Sequence, residues 1–98
     1  MLKSYVVNSV AGEEILICGT RNGVDLTIMS VLVNGGEEGG NFTLKIGDYQ
    51  EKYTLDADDT MVLDHKIMLG AEQTYSILAE VNGISVCVSA VETSTEEE

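Results

Sequence analysis

Hydrophobic and polar residues alternate along most of this chain in short runs, each about as long as a β-strand. The clearest alternation lies at 42–46 and 49–55, and it returns at 73–81 and 84–90. A period of two places the apolar side chains on one face of a strand, whereas a helix needs apolar residues spaced by three and four. No segment keeps the helical spacing over two turns. The pattern therefore predicts an all-β chain of seven or eight short strands.

Glycine, asparagine and aspartate cluster between these runs and predict turns, because they accept positive φ or cap their own backbone. Gly47 and Asp48 predict a hairpin between the strands that flank them. Asn-Gly pairs are hairpin signals, and Asn82-Gly83 predicts that the last two strands pair with each other. Strands about ten residues apart, joined by such turns, indicate a compact antiparallel β-sandwich, either immunoglobulin-like or jelly-roll-like.

Residues 24–33 form the longest strand-like run, and both of its alternating faces are largely apolar. One face carries Thr27, Met29, Val31 and Val33, and the other carries Leu26, Ile28, Ser30 and Leu32. A strand with two apolar faces is typical of a position that is central in a sheet or covered on both sides. We expect this strand to be such an element.

Two segments lack apolar residues to pack. Residues 34–41 hold four glycines and two glutamates, and they predict a flexible loop. Residues 93–98 are polar and end in three glutamates, so they predict an acidic disordered tail. Residues 1–92 are therefore expected to form a single β-sandwich domain.

Charge argues against nucleic acid as a partner. The chain has 98 residues with 5 basic and 17 acidic side chains, which gives a formal net charge of −12. Affinity for phosphate backbones comes mainly from lysine and arginine, and the few basic residues here are scattered. Apolar runs are far shorter than the roughly 20 residues that span a bilayer, and no signal-like apolar region develops near the first residues. We expect no membrane association and no secretion through a cleaved signal.

Residues that could perform catalysis are few. His65 is the only histidine, and it lacks the partners of a Ser-His-Asp or Cys-His arrangement, so we expect an exposed turn residue. Cys18 and Cys87 lie in apolar runs without a basic neighbour to lower the thiol pKa. We expect both to be reduced, packed thiols and the chain to be neither an enzyme nor a carrier of a cofactor.

Two further groups of residues leave alternatives open. Asp56, Asp58 and Asp59 form a weak Ca²⁺ candidate, but their spacing lacks the glycine and distant glutamate of an EF-hand loop, so a solvated acidic turn is favoured. The four tyrosines could make an aromatic platform for carbohydrate, or they could belong to ordinary sheet packing. They are Tyr5, Tyr49, Tyr53 and Tyr75.

The later part of the chain, over 61–77 and 82–92, resembles small virion structural proteins of tailed bacteriophages. Those proteins have a Leu-Asp-x-Lys-Ile-x-Leu strand pair, a tight polar turn and a hairpin that closes on Ser-x-x-Glu. This chain differs from their pattern in having an acidic turn where they have a proline-containing turn, and Gln73 where they have aspartate. The matching residues are Leu63, Asp64, Lys66, Ile67, Leu69, Ser89 and Glu92.

The resemblance implies a non-enzymatic β-sandwich protein present in many copies in the virion after synthesis in the host cytoplasm. A capsid decoration or auxiliary protein is the role it favours, with a tail or head–tail connector position as the alternative. The expected partner is the major capsid protein or another virion protein, together with sister copies in a homo-oligomer. A host-surface or carbohydrate-binding module is the rival interpretation. The residues themselves add that the chain has no proline to protect its strand edges, which favours assembly with neighbours.

Overall fold

A computed structural model describes residues 1–20, 23–64, 66–70 and 72–94. The described residues form nine β-strands and no helix, which confirms the all-β prediction. The strands are β1 (Leu2–Asn8), β2 (Glu14–Gly19), β3 (Val24–Asn34), β4 (Gly40–Ile46), β5 (Tyr49–Leu55), β6 (Thr60–Leu63), β7 (Ile67–Leu69), β8 (Thr74–Ala79) and β9 (Ser85–Ser94).

The strands form two antiparallel sheets that pack face to face. The first sheet has the order β1-β9-β3-β6, with β7 also paired to β3, and the second has the order β2-β8-β4-β5. Leu63 of β6 pairs with Val31, and Ile67 of β7 pairs with Ile28. Since β6 and β7 pair with successive parts of the same side of β3, together they form the edge of this sheet in two pieces.

Strand pairing is nested along the chain, which gives the sandwich its topology. β1 pairs with β9, β2 with β8, β3 with β6 and β7, and β4 with β5. If β6 and β7 count as one strand, the first of eight pairs with the last, the second with the seventh, and so on inward. This is jelly-roll connectivity, in which a long antiparallel hairpin wraps around a core.

One predicted hairpin is present and one is not. Ile46 and Tyr49 pair across the two-residue loop at Gly47 and Asp48, and Gly47 has φ of 56°, so the predicted β4–β5 hairpin is confirmed. The hairpin predicted at Asn82-Gly83 is wrong, because β8 belongs to the second sheet and β9 to the first. Gly83 has a positive φ, but it lies in the connection that crosses from the second sheet to the first.

Residues 24–33 were predicted to form a strand that is central in its sheet or covered on both sides, and the first alternative is confirmed. β3 is central in its sheet, between β9 and the β6–β7 edge. It is not covered on both sides, since Leu32 is 43% exposed. A β-bulge between Ile28 and Ser30 moves the inward phase by one residue, so Ile28 and Val31 both face the core. The bulge explains why simple alternation gave two apolar faces.

The glycine-rich segment 34–41 has packing partners, so the expectation of a loop with nothing to pack against is wrong. Gly35 N–H donates to the Asp59 carbonyl at 2.9 Å, and Asp58 N–H donates to the Gly36 carbonyl at 2.8 Å. These bonds join the β3–β4 connection to the β5–β6 connection at one end of the sandwich.

The strand β9 extends further than the sequence predicted. It ends at Ser94, and Thr93 pairs with Asp25 of β3, so positions 93 and 94 belong to the sheet and not to the predicted tail. Residues 95–98 and His65, for which a tail and an exposed turn were predicted, lie outside the described residues.

The core lies between the two sheets. β3 and β9 contribute most of its aliphatic side chains, and β4 and β8 face them from the second sheet. Its fully or almost fully buried members include Leu26, Ile28, Val31, Val33, Phe42, Leu44, Leu69, Tyr75, Ile77, Ile84, Val86 and Val88.

Candidate functional site

The outer face of the five-stranded sheet is uncharged over most of its area. Directly paired residues of an antiparallel sheet point to the same side, so the register identifies the side chains that share this face. We call this set the uncharged face: Leu2, Ser4, Val6, Asn8, Thr27, Ser30, Leu32, Asn34, Thr60, Val62, Met68, Ser85, Cys87, Ser89 and Val91.

An apolar row crosses the uncharged face from one edge of the sheet to the other. Val6 pairs with Cys87, Cys87 with Leu32, and Leu32 with Val62. Val6 is 66% exposed and Val62 is 59% exposed. A shallow depression of about 240 Å³ lies along this row. The row is a continuous apolar strip in contact with solvent, which is the surface type that marks protein interaction sites.

Small and apolar residues fill the rest of the uncharged face. Leu2 and Met68, at opposite edges, are 72% and 71% exposed. Leu2 and Met68 belong to a second row, completed by Val91 and Thr27. Serines lie between this row and the apolar row, and a polar row closes one end, where Ser85 donates to Asn8 Oδ1 at 2.6 Å. These polar groups are neutral, so burying them against a partner costs far less than burying ions.

The outer face of the four-stranded sheet is different because it carries charges. Lys45 Nζ lies 2.9 Å from Glu14 Oε1, and Ser76 Oγ donates to Glu14 Oε2 at 3.0 Å. These hydrogen bonds from Lys45 and Ser76 lower the pKa of Glu14 from its ordinary value of 4.5. Lys52 is exposed nearby on β5. A partner that docked on the four-stranded sheet would have to remove water from these charged side chains, whereas a partner on the five-stranded sheet would meet mainly neutral ones.

The four tyrosines do not form one platform. Tyr5 lies on β1, whereas Tyr49 and Tyr53 lie on β5, at the opposite edge of the sandwich. Tyr75 is only 2% exposed. Tyr53 stacks on Phe42 with ring centroids 5.5 Å apart, which is ordinary packing between neighbouring strands.

Tyr49 and Tyr75 contribute to a cleft of about 500 Å³ where the β5 edge and the β7 edge of the two sheets face each other. Glu51 is a half-buried residue of this cleft, and its Oε1 accepts a hydrogen bond from Tyr53 Oη at 2.9 Å. Burial and this hydrogen bond raise the pKa of Tyr53 to about 12. The other residues around the cleft are Leu44, Ile46, Lys66, Ile67, Met68 and Gln73.

Both cysteines are free thiols, and they lie in different sheets. Cys18 on β2 is 4% exposed, and burial raises its pKa to about 11. Since the thiolate is the reactive form, Cys18 is a poor nucleophile at neutral pH. Cys87 is half-buried and lies in the middle of the apolar row.

The acidic turn at Asp56, Asp58 and Asp59 belongs to the β5–β6 connection, where all three side chains are exposed. Asp58 has φ of 63°, and Asp59 N–H donates to the Asp56 carbonyl at 3.2 Å. Within residues 1–20, 23–64, 66–70 and 72–94, no group of three or more His, Cys, Asp or Glu side chains is arranged to hold a metal ion. The turn has a structural explanation in its bonds to the glycine-rich segment.

The uncharged face was not predicted from the pattern along the chain. Its signal is present in β9, whose outward positions Ser85, Cys87 and Ser89 are small and neutral in a strongly charged chain. The apolar row, however, joins residues from four distant parts of the sequence, and only the strand register brings them together.

Comparison of the sequence with protein-family models and with curated proteins found no match. In the part of the chain that the structure describes, no helix has the length and apolar character needed to cross a membrane.

Proposed function

We propose that this chain is a non-enzymatic structural protein of a bacteriophage particle, and specifically a capsid decoration protein that docks on the shell through its uncharged face. The observation that carries the proposal is the apolar row of Val6, Cys87, Leu32 and Val62, exposed on a face where the one charged residue among the described strand pairs, Asp25, lies at one end. The resemblance of 61–77 and 82–92 to small virion proteins supplies the biological setting.

The fold is compatible with this role. Jelly rolls occur in viral capsid proteins, and also in lectins and cupins, so the topology alone does not select a function. The uncharged face adds the selective feature, since depletion of charged residues is the compositional signal of the buried centre of an interface.

Net charge favours a shell over a sister copy as the occupant of this face. Two copies would each bring a charge of −12, and like charges of that size repel at short range. A shell surface that is neutral or less acidic avoids this repulsion. The charged second sheet and the acidic connections would then face solvent.

The size of the face predicts weak docking by one copy and stronger binding by many. Four strands at about 4.8 Å spacing and six residues of about 3.3 Å each cover roughly 20 Å by 20 Å. That is smaller than the roughly 800 Å² per partner of a standard stable interface. Sister copies placed side by side on a repeating shell, in contact at their edges, would gain affinity by avidity. A tail or connector position would use the same face.

Sedimentation with empty shells of the phage that encodes the chain tests the proposal. The wild type should pellet with the shells, and Leu32→Asp or Val62→Lys should reduce the bound fraction at least tenfold, because each puts a charge into the interface. Leu16→Asp is the matched control, since Leu16 is 58% exposed on the charged sheet, and it should bind like the wild type.

Circular dichroism would establish that each variant is folded. The proposal fails if the folded wild type stays in the supernatant, or if Leu16→Asp abolishes binding while Leu32→Asp and Val62→Lys do not. Light scattering that shows a discrete oligomer sensitive to Leu32→Asp would assign the face to a sister copy instead of the shell.

A further inference from the structure

β5 is a regular free edge of the second sheet. It pairs with β4 on one side along all seven residues, without a register shift. The other edges are less regular or less accessible: β2 has a bulge between Leu16 and Cys18, the β6–β7 edge consists of two short strands, and β1 lies against β2. A regular edge of this length can accept another strand.

The register identifies which backbone groups of β5 are available. The two-residue loop makes Ile46 and Tyr49 a hydrogen-bonded pair, and hydrogen-bonded pairs alternate along an antiparallel ladder. Residues 49, 51, 53 and 55 therefore direct their N–H and C=O groups to β4. Gln50, Lys52 and Thr54 direct theirs away from β4, toward the free edge.

The cleft described above lies beside this edge. A strand added next to β5 would continue the sheet, and every second side chain would point inward, between β5 and β7. There it would meet Tyr49, Ile46 and Ile67, which make the walls largely apolar. Backbone bonds along an edge combined with pockets for alternate side chains are the two components of strand-addition recognition.

We propose that β5 and its cleft bind an extended segment of a partner protein as an added strand, with apolar side chains at alternate positions and no acidic residue. The apolar walls select the alternating pattern. Glu51 and Lys66 both line the cleft, so it is the net charge of −12 that disfavours an acidic segment. This site shares Met68 with the edge of the uncharged face, and strand addition to β5 does not depend on the apolar row.

A second copy of the chain does not fit as the donor. If its own β5 were placed against the edge, its inward side chains would stay in its own core, where Tyr53 already stacks on Phe42. The cleft would remain unfilled. An extended segment whose side chains are not already packed in a core of its own can place them in the cleft.

Amide hydrogen exchange measured by NMR tests the proposal directly. The probe is a capped seven-residue peptide that alternates valine with threonine and carries one lysine. In the free chain the amides of Gln50, Lys52 and Thr54 should exchange fast, and saturating peptide should slow their exchange at least tenfold. A second peptide with glutamate in place of lysine should bind more weakly.

Three variants separate the backbone edge from the cleft. Lys52→Pro removes an outward N–H at a position where an edge strand tolerates proline, and it should weaken peptide binding about tenfold. Lys52→Ala keeps that N–H and is its matched control, with near-normal affinity expected. Tyr49→Ala opens the cleft wall and should also weaken binding, whereas Leu16→Ala, at the opposite edge of the same sheet, should not.

Unchanged exchange at Gln50, Lys52 and Thr54 with millimolar peptide would overturn the proposal. So would equal affinity of Lys52→Pro and Lys52→Ala, provided that both keep the protected amides of β4. Concentration-dependent protection of these amides without any peptide would show that a second copy occupies the edge, which also contradicts the proposal. None of these results bears on binding to shells through the uncharged face.

Discussion

Ser9 and Ile84 are joined by two hydrogen bonds that tie together two of the connections at one end of the sandwich. Ser9 N–H donates to the Ile84 carbonyl at 2.9 Å, and Ile84 N–H donates to Ser9 Oγ at 3.0 Å. Ser9 Oγ in turn donates to the Val81 carbonyl at 2.7 Å. Ser9 is 3% exposed and Ile84 is fully buried, so water cannot replace these partners. The β1–β2 and β8–β9 connections thus cross between the sheets as one bonded unit.

Replacing Ser9 with alanine should therefore destabilise the fold. The change leaves the buried Ile84 N–H and the Val81 carbonyl without the hydroxyl, and an unsatisfied buried group costs about 1–3 kcal/mol. We expect the free energy of unfolding, measured by urea denaturation, to fall by about 2 kcal/mol. Ser4→Ala is the control, because Ser4 is exposed on β1, and it should change the stability by less than about 0.5 kcal/mol. Equal effects of the two variants would contradict the role given to Ser9.

Gly35 is required by close packing between two backbone segments at the same end of the sandwich, where Asn34 pairs with both Ser85 and Thr60. A Cβ on Gly35 would overlap the carbonyl oxygen of Asp56, and neither segment can move without breaking the bond from Gly35 N–H to Asp59. We expect Gly35→Ala to lower the free energy of unfolding by about 3 kcal/mol, as for overpacking in a rigid site.

Gly70→Ala is the matched control for Gly35→Ala. Neither glycine has a positive φ, and a Cβ on Gly70 would meet nothing closer than Gln73 Oε1 at 3.7 Å. Urea denaturation should find Gly70→Ala within about 0.5 kcal/mol of the wild type. If Gly35→Ala were equally mild, segment 34–41 would be loosely packed, as its composition suggested.

The sequence predicts those parts of the fold that depend on local pattern. Alternation located the strands, and Gly47 with Asp48 located the β4–β5 hairpin, since both signals involve neighbours in the chain. The hairpin prediction at Asn82-Gly83 was wrong because a glycine with positive φ also suits a connection between two sheets. Which connection forms depends on pairing with strands that are distant in the sequence.

The candidate sites were less predictable than the strands. The bulge between Ile28 and Ser30 changes which side chains of β3 face out, and a pattern of apolar residues does not reveal a one-residue shift. Val6 and Val62 belong to one surface only because two intervening strands align them. The cleft likewise depends on how the edges of two sheets face each other.

The two thiols should differ strongly in reactivity. Burial raises the pKa of Cys18 to about 11, so only about one molecule in a thousand carries the thiolate at pH 8. Cys87 is half-buried on the outer face and accessible to reagent. Iodoacetamide should add one carbamidomethyl group to the folded chain. In the same time it should add two to the chain unfolded in urea, and intact mass measurement distinguishes the two products. Peptide mapping should place the group on Cys87, and Cys87→Ser should add none. Rapid alkylation of Cys18 in the folded chain would reveal a reactive thiol and reopen the case for an enzyme.

Glu14, on the outer face of the four-stranded sheet, should make the free energy of unfolding depend on pH. The bonds from Lys45 and Ser76 hold the pKa of Glu14 below its ordinary value of 4.5, so the folded state binds the proton less tightly than the unfolded state. The stabilisation is therefore complete above that ordinary value and is lost as the pH falls through the lower pKa of the folded state.

The difference in urea midpoint between wild type and Glu14→Gln should be present at neutral pH and vanish in acid. Because the pair is exposed, it should also shrink at high salt. A double-mutant cycle with Lys45→Gln isolates the pair, and coupling that persists unchanged in acid would contradict the assignment.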